Sequence, residues 1–145
     1  VSNLIKTNNL ILENNIKIVK SSSFYKTDSW PNNKFPFYIN SVILVKTSMK
    51  ALELLDTLKL IESKIGRKKA KKNFPRICDI DIIDFKRKIV SKNITLPHPR
   101  MHKRSFVLFP LFEIDKDWKH PKNKNHIKNL IMSLPNRDIR SIKQY

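Results

Sequence analysis

Hydrophobic and polar side chains alternate along two early stretches of the chain, residues 16–26 and 37–46. An alternation of period two is typical of β-strands that bury one face, so we predict one strand in each stretch. Residues 8–15 are predicted to be helical. A loop is predicted between the strands at residues 29–36, which contain two prolines and two asparagines.

Beyond Ser48 the spacing of apolar residues changes to the period of an α-helix. The pattern predicts an amphipathic helix that ends at Gly66, because glycine readily adopts the left-handed backbone that closes a helix. The apolar face of this predicted helix comprises Ala51, Leu54, Leu55, Leu58, Ile61 and Ile65.

The second half of the chain begins with a short apolar run, NFPRICDIDII at residues 73–83, which is typical of a buried strand. Residues 94–114 predict a proline-stiffened turn followed by an apolar strand. A turn is predicted at residues 119–125, followed by a short helix that begins near Ile127. Because strands and helices interleave, we predict an α+β sandwich in which helices pack on one mostly antiparallel sheet.

The composition suits one domain spanning residues 1–145, of which 40% are hydrophobic. The single cysteine, Cys78, excludes an internal disulfide, favours a cytoplasmic location and is expected to be a small core residue. No apolar run approaches the roughly 20 residues that a membrane span needs. The single glycine excludes the glycine-rich phosphate loops of P-loop and Rossmann proteins.

The formal net charge of +18 favours an anionic partner, such as nucleic acid, nucleotide phosphates or a membrane surface. An alternative is that AT-rich coding produced the many lysines, asparagines and isoleucines, and that most of the lysines cover a solvated surface. The scarcer arginines are therefore more informative than the lysines about where an anion binds.

Two carboxylates interrupt the apolar run at Asp79 and Asp81. On a strand these side chains share one face, where they repel each other unless a cation lies between them. Mg²⁺ prefers oxygen ligands and commonly combines one or two carboxylates with phosphate oxygens, so the pair predicts a metal site for phosphoryl chemistry. The alternatives are that both carboxylates lie in water at a strand end, or that they pair with lysines.

Three basic groups are candidates for binding phosphate. Arg76 precedes the aspartates, and Arg67 opens the basic loop RKKAKK; arginine binds phosphate oxygens in a bidentate manner. His98 is held between two prolines and lies close in sequence to Arg104, so this pair is a further candidate. The basic loop alone is equally consistent with a solvated run or a nucleic-acid patch, and a lone histidine is usually structural.

Tyr38 and Asn40 lie on the same face of the second predicted strand. An aromatic ring beside an amide can stack on a flat heterocycle and bind its hydrogen-bonding edge. The alternative is an ordinary half-buried strand face.

The order of these motifs resembles the 6-hydroxymethyl-7,8-dihydropterin pyrophosphokinase family of folate biosynthesis. The resemblance covers roughly residues 16–121 and is carried by SSFYKT, FYIN, PRICDIDII and LPHPRMHKRSFVLFPLFEI. It implies a ferredoxin-like α+β sandwich that transfers pyrophosphate from ATP to the hydroxymethyl group of the pterin, giving AMP and the pterin diphosphate. It also implies two Mg²⁺ ions, with ATP as co-substrate. We expect a cytoplasmic monomer that binds small molecules and neither nucleic acid nor a membrane.

The resemblance assigns roles to individual residues. Asp79 and Asp81 match the metal-binding pair and, with Arg67 and Arg76, are expected to be catalytic. The residues that match pterin contacts are Thr27, Trp30, Tyr38, Asn40 and Phe106. The residues that match the nucleotide pocket or contact ATP are Glu62, Arg67, Arg76, Ile82, Thr95, His98 and Arg104.

Two departures from the family pattern affect the expected activity. Phe74 stands before the PR motif, where the family has a small residue, mostly glycine. The first strand of the family, which ends in Gly-Ser-Asn, is expected to be missing or truncated, since only VSN at residues 1–3 is similar to it. Because of these departures, one alternative is a folded but inactive pyrophosphokinase. A second alternative, based on the basic loop, is an α/β domain that binds nucleic acid through RKKAKK.

Overall fold

The fold combines helices with short antiparallel strands, as a computed structural model describes it for residues 1–28, 37–66 and 78–145. This arrangement confirms the predicted α+β class. The helices are α1 (Ser2–Glu13), α2 (Ala51–Lys64), α3 (Ser105–Ile114), α4 (Ile127–Met132) and α5 (Asn136–Ser141), with a 3₁₀ turn at Met101–Lys103. The strands are β1 (Lys17–Ser21), β2 (Tyr25–Thr27), β3 (Tyr38–Asn40), β4 (Ile43–Lys46) and β5 (Lys143–Gln144).

Each of the two strands predicted in the first third of the chain is divided in two. β1 pairs with β4, and β2 lies between β3 and β5; all of these pairs are antiparallel. The division occurs at Ser22, whose amide donates to the carbonyl of Val42 (2.9 Å) and whose Oγ accepts from the Val42 amide (3.0 Å). A side chain thus replaces one backbone acceptor. The two sheets join end to end at Ser22 and Val42, and we call the strands β1–β4 together the ribbon.

The helix predicted to end at Gly66 is α2. Gly66 has φ 103° and its amide donates to the Ser63 carbonyl (3.1 Å), which satisfies a backbone acceptor at the end of the helix. Leu54, Leu58 and Ile61 are buried. They form one core cluster with α1 and with apolar residues of the β1–β4 sheet.

The prediction of a strand at the end of residues 94–114 is wrong, because residues 105–114 form helix α3. Its sequence SFVLFPLFEI is apolar almost all round, so it has no clear period, and a short apolar run suits a buried helix as well as a buried strand. α3 packs with α4 and Trp118 in a second core cluster. The predicted turn at residues 119–125 and the short helix that follows are confirmed.

The strand predicted at residues 73–83 is not confirmed, since residues 78–84 are not assigned to a strand. Some backbone hydrogen-bonding groups of this segment are paired with a side chain or a loop and not with a neighbouring strand. The Ile80 amide donates to Glu62 Oε1 (2.8 Å), and the Ile83 carbonyl accepts from the His98 amide (2.8 Å). Burial still alternates: Cys78 is buried, Asp79 and Asp81 are exposed, and Ile80 packs against the core cluster of α2.

His120 predicts how stability depends on pH. Burial lowers the pKa of His120 below its ordinary value of 6.5, and the nearby His102 and Lys122 lower it further, whereas Asp84 opposes this. The unfolded chain therefore binds a proton at His120 at a higher pH than the folded chain does. The contribution of His120 to the free energy of unfolding is present above pH 6.5 and is lost as pH falls through the folded pKa. Urea denaturation midpoints should fall between pH 7.5 and 5, with a smaller fall in His120→Gln. An equal fall in both proteins would contradict this origin.

No helix within residues 1–28, 37–66 and 78–145 is long and apolar enough to cross a membrane.

Candidate active site

Three residues that the sequence singled out converge on one point of the fold. Asp81 Oδ2 lies 3.8 Å from His98 Nε2 and 3.6 Å from a terminal guanidinium nitrogen of Arg104. Asp81 comes from the extended segment 78–84, His98 from the turn before the 3₁₀ helix, and Arg104 is the residue that caps the start of α3. A carboxylate and two basic side chains therefore form one cluster.

The backbone holds His98 in one orientation. The His98 amide donates to the Ile83 carbonyl, and His98 Nδ1 accepts from the Arg100 amide (3.2 Å). Because Nδ1 accepts, the proton of the neutral ring lies on Nε2, the nitrogen that faces Asp81. Burial lowers the pKa of His98, and Arg104 and Arg100 also lower it, while Asp81 opposes this. His98 is thus a neutral hydrogen-bond donor at pH 7.

Asp79 and Asp81 fit the ligand chemistry of Mg²⁺. Both are exposed, while Ile80 and Ile82 between and after them pack against the core, so the two carboxylates face outward. Within the described ranges, no three histidine, cysteine, aspartate or glutamate side chains gather as ligands of one ion. Mg²⁺ commonly takes one or two carboxylates and completes its shell with water and substrate phosphates.

Arg104 connects this cluster to an aromatic side chain. Its guanidinium carbon lies 5.4 Å from the centre of the Phe106 ring, within the range of a cation–π contact. Phe106 is half-buried and packs against the second core cluster, which fixes its ring near the start of α3.

Three of the residues predicted to bind a heterocycle lie on the paired strands β2 and β3. Thr27 is buried, and Asn40 Nδ2 donates to Thr27 Oγ1 (3.3 Å) across the strand pair. Tyr38 is the cross-strand neighbour of Thr27 and is 42% exposed. An amide, a hydroxyl and an exposed aromatic ring thus lie together on this half of the ribbon.

The other predicted site residues have varied surroundings. Glu62 is 4% exposed and accepts from the Ile80 amide, so it fixes the segment that carries the aspartates. Ile82 is partly buried against the core, and Thr95 is exposed. Trp30, Arg67 and Arg76 lie outside the described residues, as does Phe74, and their assignments stay predictions.

One residue that connects elements carrying candidate site residues could not be predicted from the sequence. Glu113, at the end of α3, accepts from the amide and hydroxyl of Ser23 (3.0 and 2.8 Å) and from the Tyr25 hydroxyl (2.8 Å). Burial and Glu113 raise the pKa of Tyr25 to about 12. Glu113 therefore ties α3, which carries Phe106, to strand β2, which carries Thr27. Its partners are 88 and 90 positions away, so sequence spacing gave no signal.

Comparison with known proteins agrees with these observations. The sequence model of the family 7,8-dihydro-6-hydroxymethylpterin-pyrophosphokinase matches residues 1–116. A 2-amino-4-hydroxy-6-hydroxymethyldihydropteridine pyrophosphokinase of Haemophilus influenzae is 37% identical over 76% of this chain and 69% of its own length. The enzyme of the same name from Aquifex aeolicus is 36% identical over 81% of this chain and 74% of its own length.

Longer relatives also match. The chain is 37% identical over 88% of its length to the folic acid synthesis protein fol1 of Pneumocystis carinii, but spans 17% of that protein. It spans 63% of a Synechocystis pyrophosphokinase that is 38% identical over 84% of this chain. From the extent of the family match and the identity to the bacterial relatives, the chain belongs to the 7,8-dihydro-6-hydroxymethylpterin-pyrophosphokinase family.

Proposed function

We propose that this protein transfers pyrophosphate from ATP to the hydroxymethyl group of 6-hydroxymethyl-7,8-dihydropterin, giving AMP and the pterin diphosphate for tetrahydrofolate synthesis. The observation that carries the proposal is the convergence of Asp81, His98 and Arg104 within 4 Å in a chain of this family. The hydroxymethyl oxygen forms a bond to the β-phosphorus, the bond from that phosphorus to the α-phosphate oxygen breaks, and the hydroxyl proton passes to solvent.

Positively charged groups and hydrogen-bond donors would bind the phosphates of ATP. Asp79 and Asp81 would hold Mg²⁺, two ions by family resemblance, which when bound would neutralise charge on the phosphates. Arg104 offers a planar fork of donors to phosphate oxygens, and His98 donates from Nε2 without adding a titrating cation. Both donors are fixed before substrate arrives, and such preorganised donors stabilise charge that develops during transfer.

The nucleotide and metal residues outside this cluster complete the proposed site. By family resemblance, Arg67 and Arg76 contact ATP and take part in catalysis. Glu62, Ile82 and Thr95 lie around the nucleotide. The hydrogen bond from the Ile80 amide to Glu62 gives Glu62 a second role, because it sets the position of the segment that carries both aspartates.

The pterin would bind between the ribbon and the start of α3. Tyr38 and Phe106 would sandwich its ring, and the amide of Asn40 would bind its hydrogen-bonding edge, with Thr27 and Trp30 beside it. The contact between Arg104 and Phe106 supports this arrangement, since it brings the phosphate-binding and ring-stacking groups side by side. We further propose that the protein acts as a cytoplasmic monomer.

The proposal predicts pterin-dependent AMP formation. Incubation with ATP, Mg²⁺ and the hydroxymethyl dihydropterin should give AMP and pterin diphosphate in equal amounts, detected by ³¹P NMR and chromatography. A 6-methyl pterin, which lacks the nucleophilic oxygen, is the matched control and should give no AMP. Release of ADP and phosphate, or AMP formation that ignores the pterin, would contradict the proposed reaction.

A further inference from the structure

A second cluster of polar groups follows the aspartate pair and involves residues that the proposed reaction does not use. Asp84 accepts from Trp118 Nε1 at Oδ2 (2.9 Å) and from the Arg87 amide at Oδ1 (2.9 Å). Trp118 is 2% exposed, so its indole nitrogen is buried and bonds to this carboxylate. A buried donor that loses its acceptor destabilises the fold, so Asp84 has a fixed place.

Arg87 extends the cluster to the end of α3. Its guanidinium donates to Asp115 Oδ2 (3.1 Å) and to the Lys119 carbonyl (3.1 Å), lies 3.4 Å from Asp84 Oδ2 and stacks 5.4 Å from the centre of the Trp118 ring. Four contacts from one side chain join segment 78–84 to the residues that follow α3.

The turn that delivers Arg87 is conformationally costly. Lys86 and Arg87 have φ of 52° and 56°, and the Lys88 amide donates to the Phe85 carbonyl (3.0 Å), so two non-glycine residues occupy the left-handed region. Non-glycine residues are strained in this region, because the Cβ atom crowds the backbone. The contacts of Arg87 offset this cost and hold the turn.

The cluster and the candidate active site lie at opposite ends of α3, and segment 78–84 contributes a carboxylate to each. Segment 78–84 meets α3 through Asp81 and Arg104 at the start of the helix, and through Asp84, Arg87 and Asp115 just beyond its end. Ile83 packs against the core cluster of α3 and accepts from the His98 amide. A shift of Asp84 would therefore move Asp81 relative to both His98 and Arg104.

We propose that Asp84 and Arg87 are positioning residues, which clamp segment 78–84 to α3 and thereby place Asp81 for binding the divalent cation that accompanies the nucleotide. This inference rests on the proposed function for the identity of the ligand. The inference goes beyond the proposed function because it assigns a role to two residues that the proposed reaction does not use.

The test measures metal affinity separately from turnover. Mn²⁺ replaces Mg²⁺ and its dissociation constant is measured by EPR in the presence of α,β-methylene-ATP, whose α–β bridge cannot be cleaved. Asp84→Ala and Arg87→Ala should each weaken Mn²⁺ binding at least threefold. Asp84→Asn should lie closer to wild type, because its amide oxygen can still accept from Trp118.

Two controls separate positioning from general destabilisation and from charge. Leu134→Ala removes a buried side chain from the cluster that contains Trp118, so it should lower the unfolding temperature without weakening Mn²⁺ binding threefold. Asp138→Asn removes one negative charge in α5 and should also leave the affinity within threefold of wild type.

The possible outcomes are distinguishable. If Asp84→Ala and Arg87→Ala stay within threefold of wild type, or if Leu134→Ala weakens binding as much as they do, the positioning role is wrong. Wild-type protein that binds no Mn²⁺ would also overturn it. If Asp84→Ala fails to fold, the Mn²⁺ affinity of Arg87→Ala decides whether the positioning role holds, because half of the Arg87 side chain is exposed. Failure of the proposed function would instead appear as wild-type protein that forms no AMP while the affinity differences persist.

Discussion

Replacement of Asp81 by alanine should lower the rate of AMP formation by a factor on the order of 10³, with little change in stability. Asp81 is the carboxylate shared by His98 and Arg104, so its loss removes a proposed metal ligand and leaves both basic groups without this partner. Its side chain is 52% exposed, and exposed ion pairs contribute only about 0–1 kcal/mol. The unfolding temperature should therefore change little.

Initial rates of AMP release and a thermal denaturation curve check this expectation. Asp117→Ala removes an exposed carboxylate from another part of the surface and should retain wild-type rates. Wild-type activity in Asp81→Ala would rule out the metal assignment. A large fall in unfolding temperature would show instead that the Asp81 cluster is structural.

Replacement of Arg104 by alanine should lower kcat/KM by a factor on the order of 10² to 10³, mainly through kcat. Arg104 contacts both Asp81 and the Phe106 ring, so it is placed to bind a phosphate oxygen next to the pterin that we propose stacks on this ring. Arg104→Lys should recover only part of the loss, because lysine lacks the planar fork that binds two oxygens.

Steady-state kinetics with each substrate varied in turn measure this effect. Lys103→Ala removes the same charge one residue earlier, from an exposed side chain, and serves as the matched control. Equal losses in Lys103→Ala and Arg104→Ala would mean that net positive charge attracts the nucleotide and that the position of the guanidinium is unimportant. Full recovery in Arg104→Lys would exclude bidentate binding.

Local sequence signals predicted α2 well and α3 badly. α2 has one apolar face and a glycine at its end, and both features act within the helix itself. α3 is buried on several sides by residues outside the helix, so the polar positions that would reveal its period are few. Its type depends on tertiary packing, which a short window of sequence does not contain.

The candidate site shows the same distinction. The types of Asp81, His98 and Arg104 indicated phosphate chemistry, and the structure brings these three together. Asp84 was not identified, because its partner Trp118 lies 34 positions away and neither residue belongs to a recognisable local pattern. Side chains that touch ligand are restricted in type by chemistry, whereas those that position them are restricted by geometry, which emerges only on folding.

The joint in the ribbon at Ser22 and Val42 has a consequence for how this protein can change over evolution. Strands β1 and β4 contribute Ile18, Ile43 and Val45 to a core cluster, whereas the described core clusters include no residue of β2 or β3. Substitutions on β2 and β3, the strands proposed to bind the pterin, therefore avoid the residues of the described core clusters. The ribbon thus joins a half that is anchored in a core cluster to a half that is not, and only the first half is constrained by core packing.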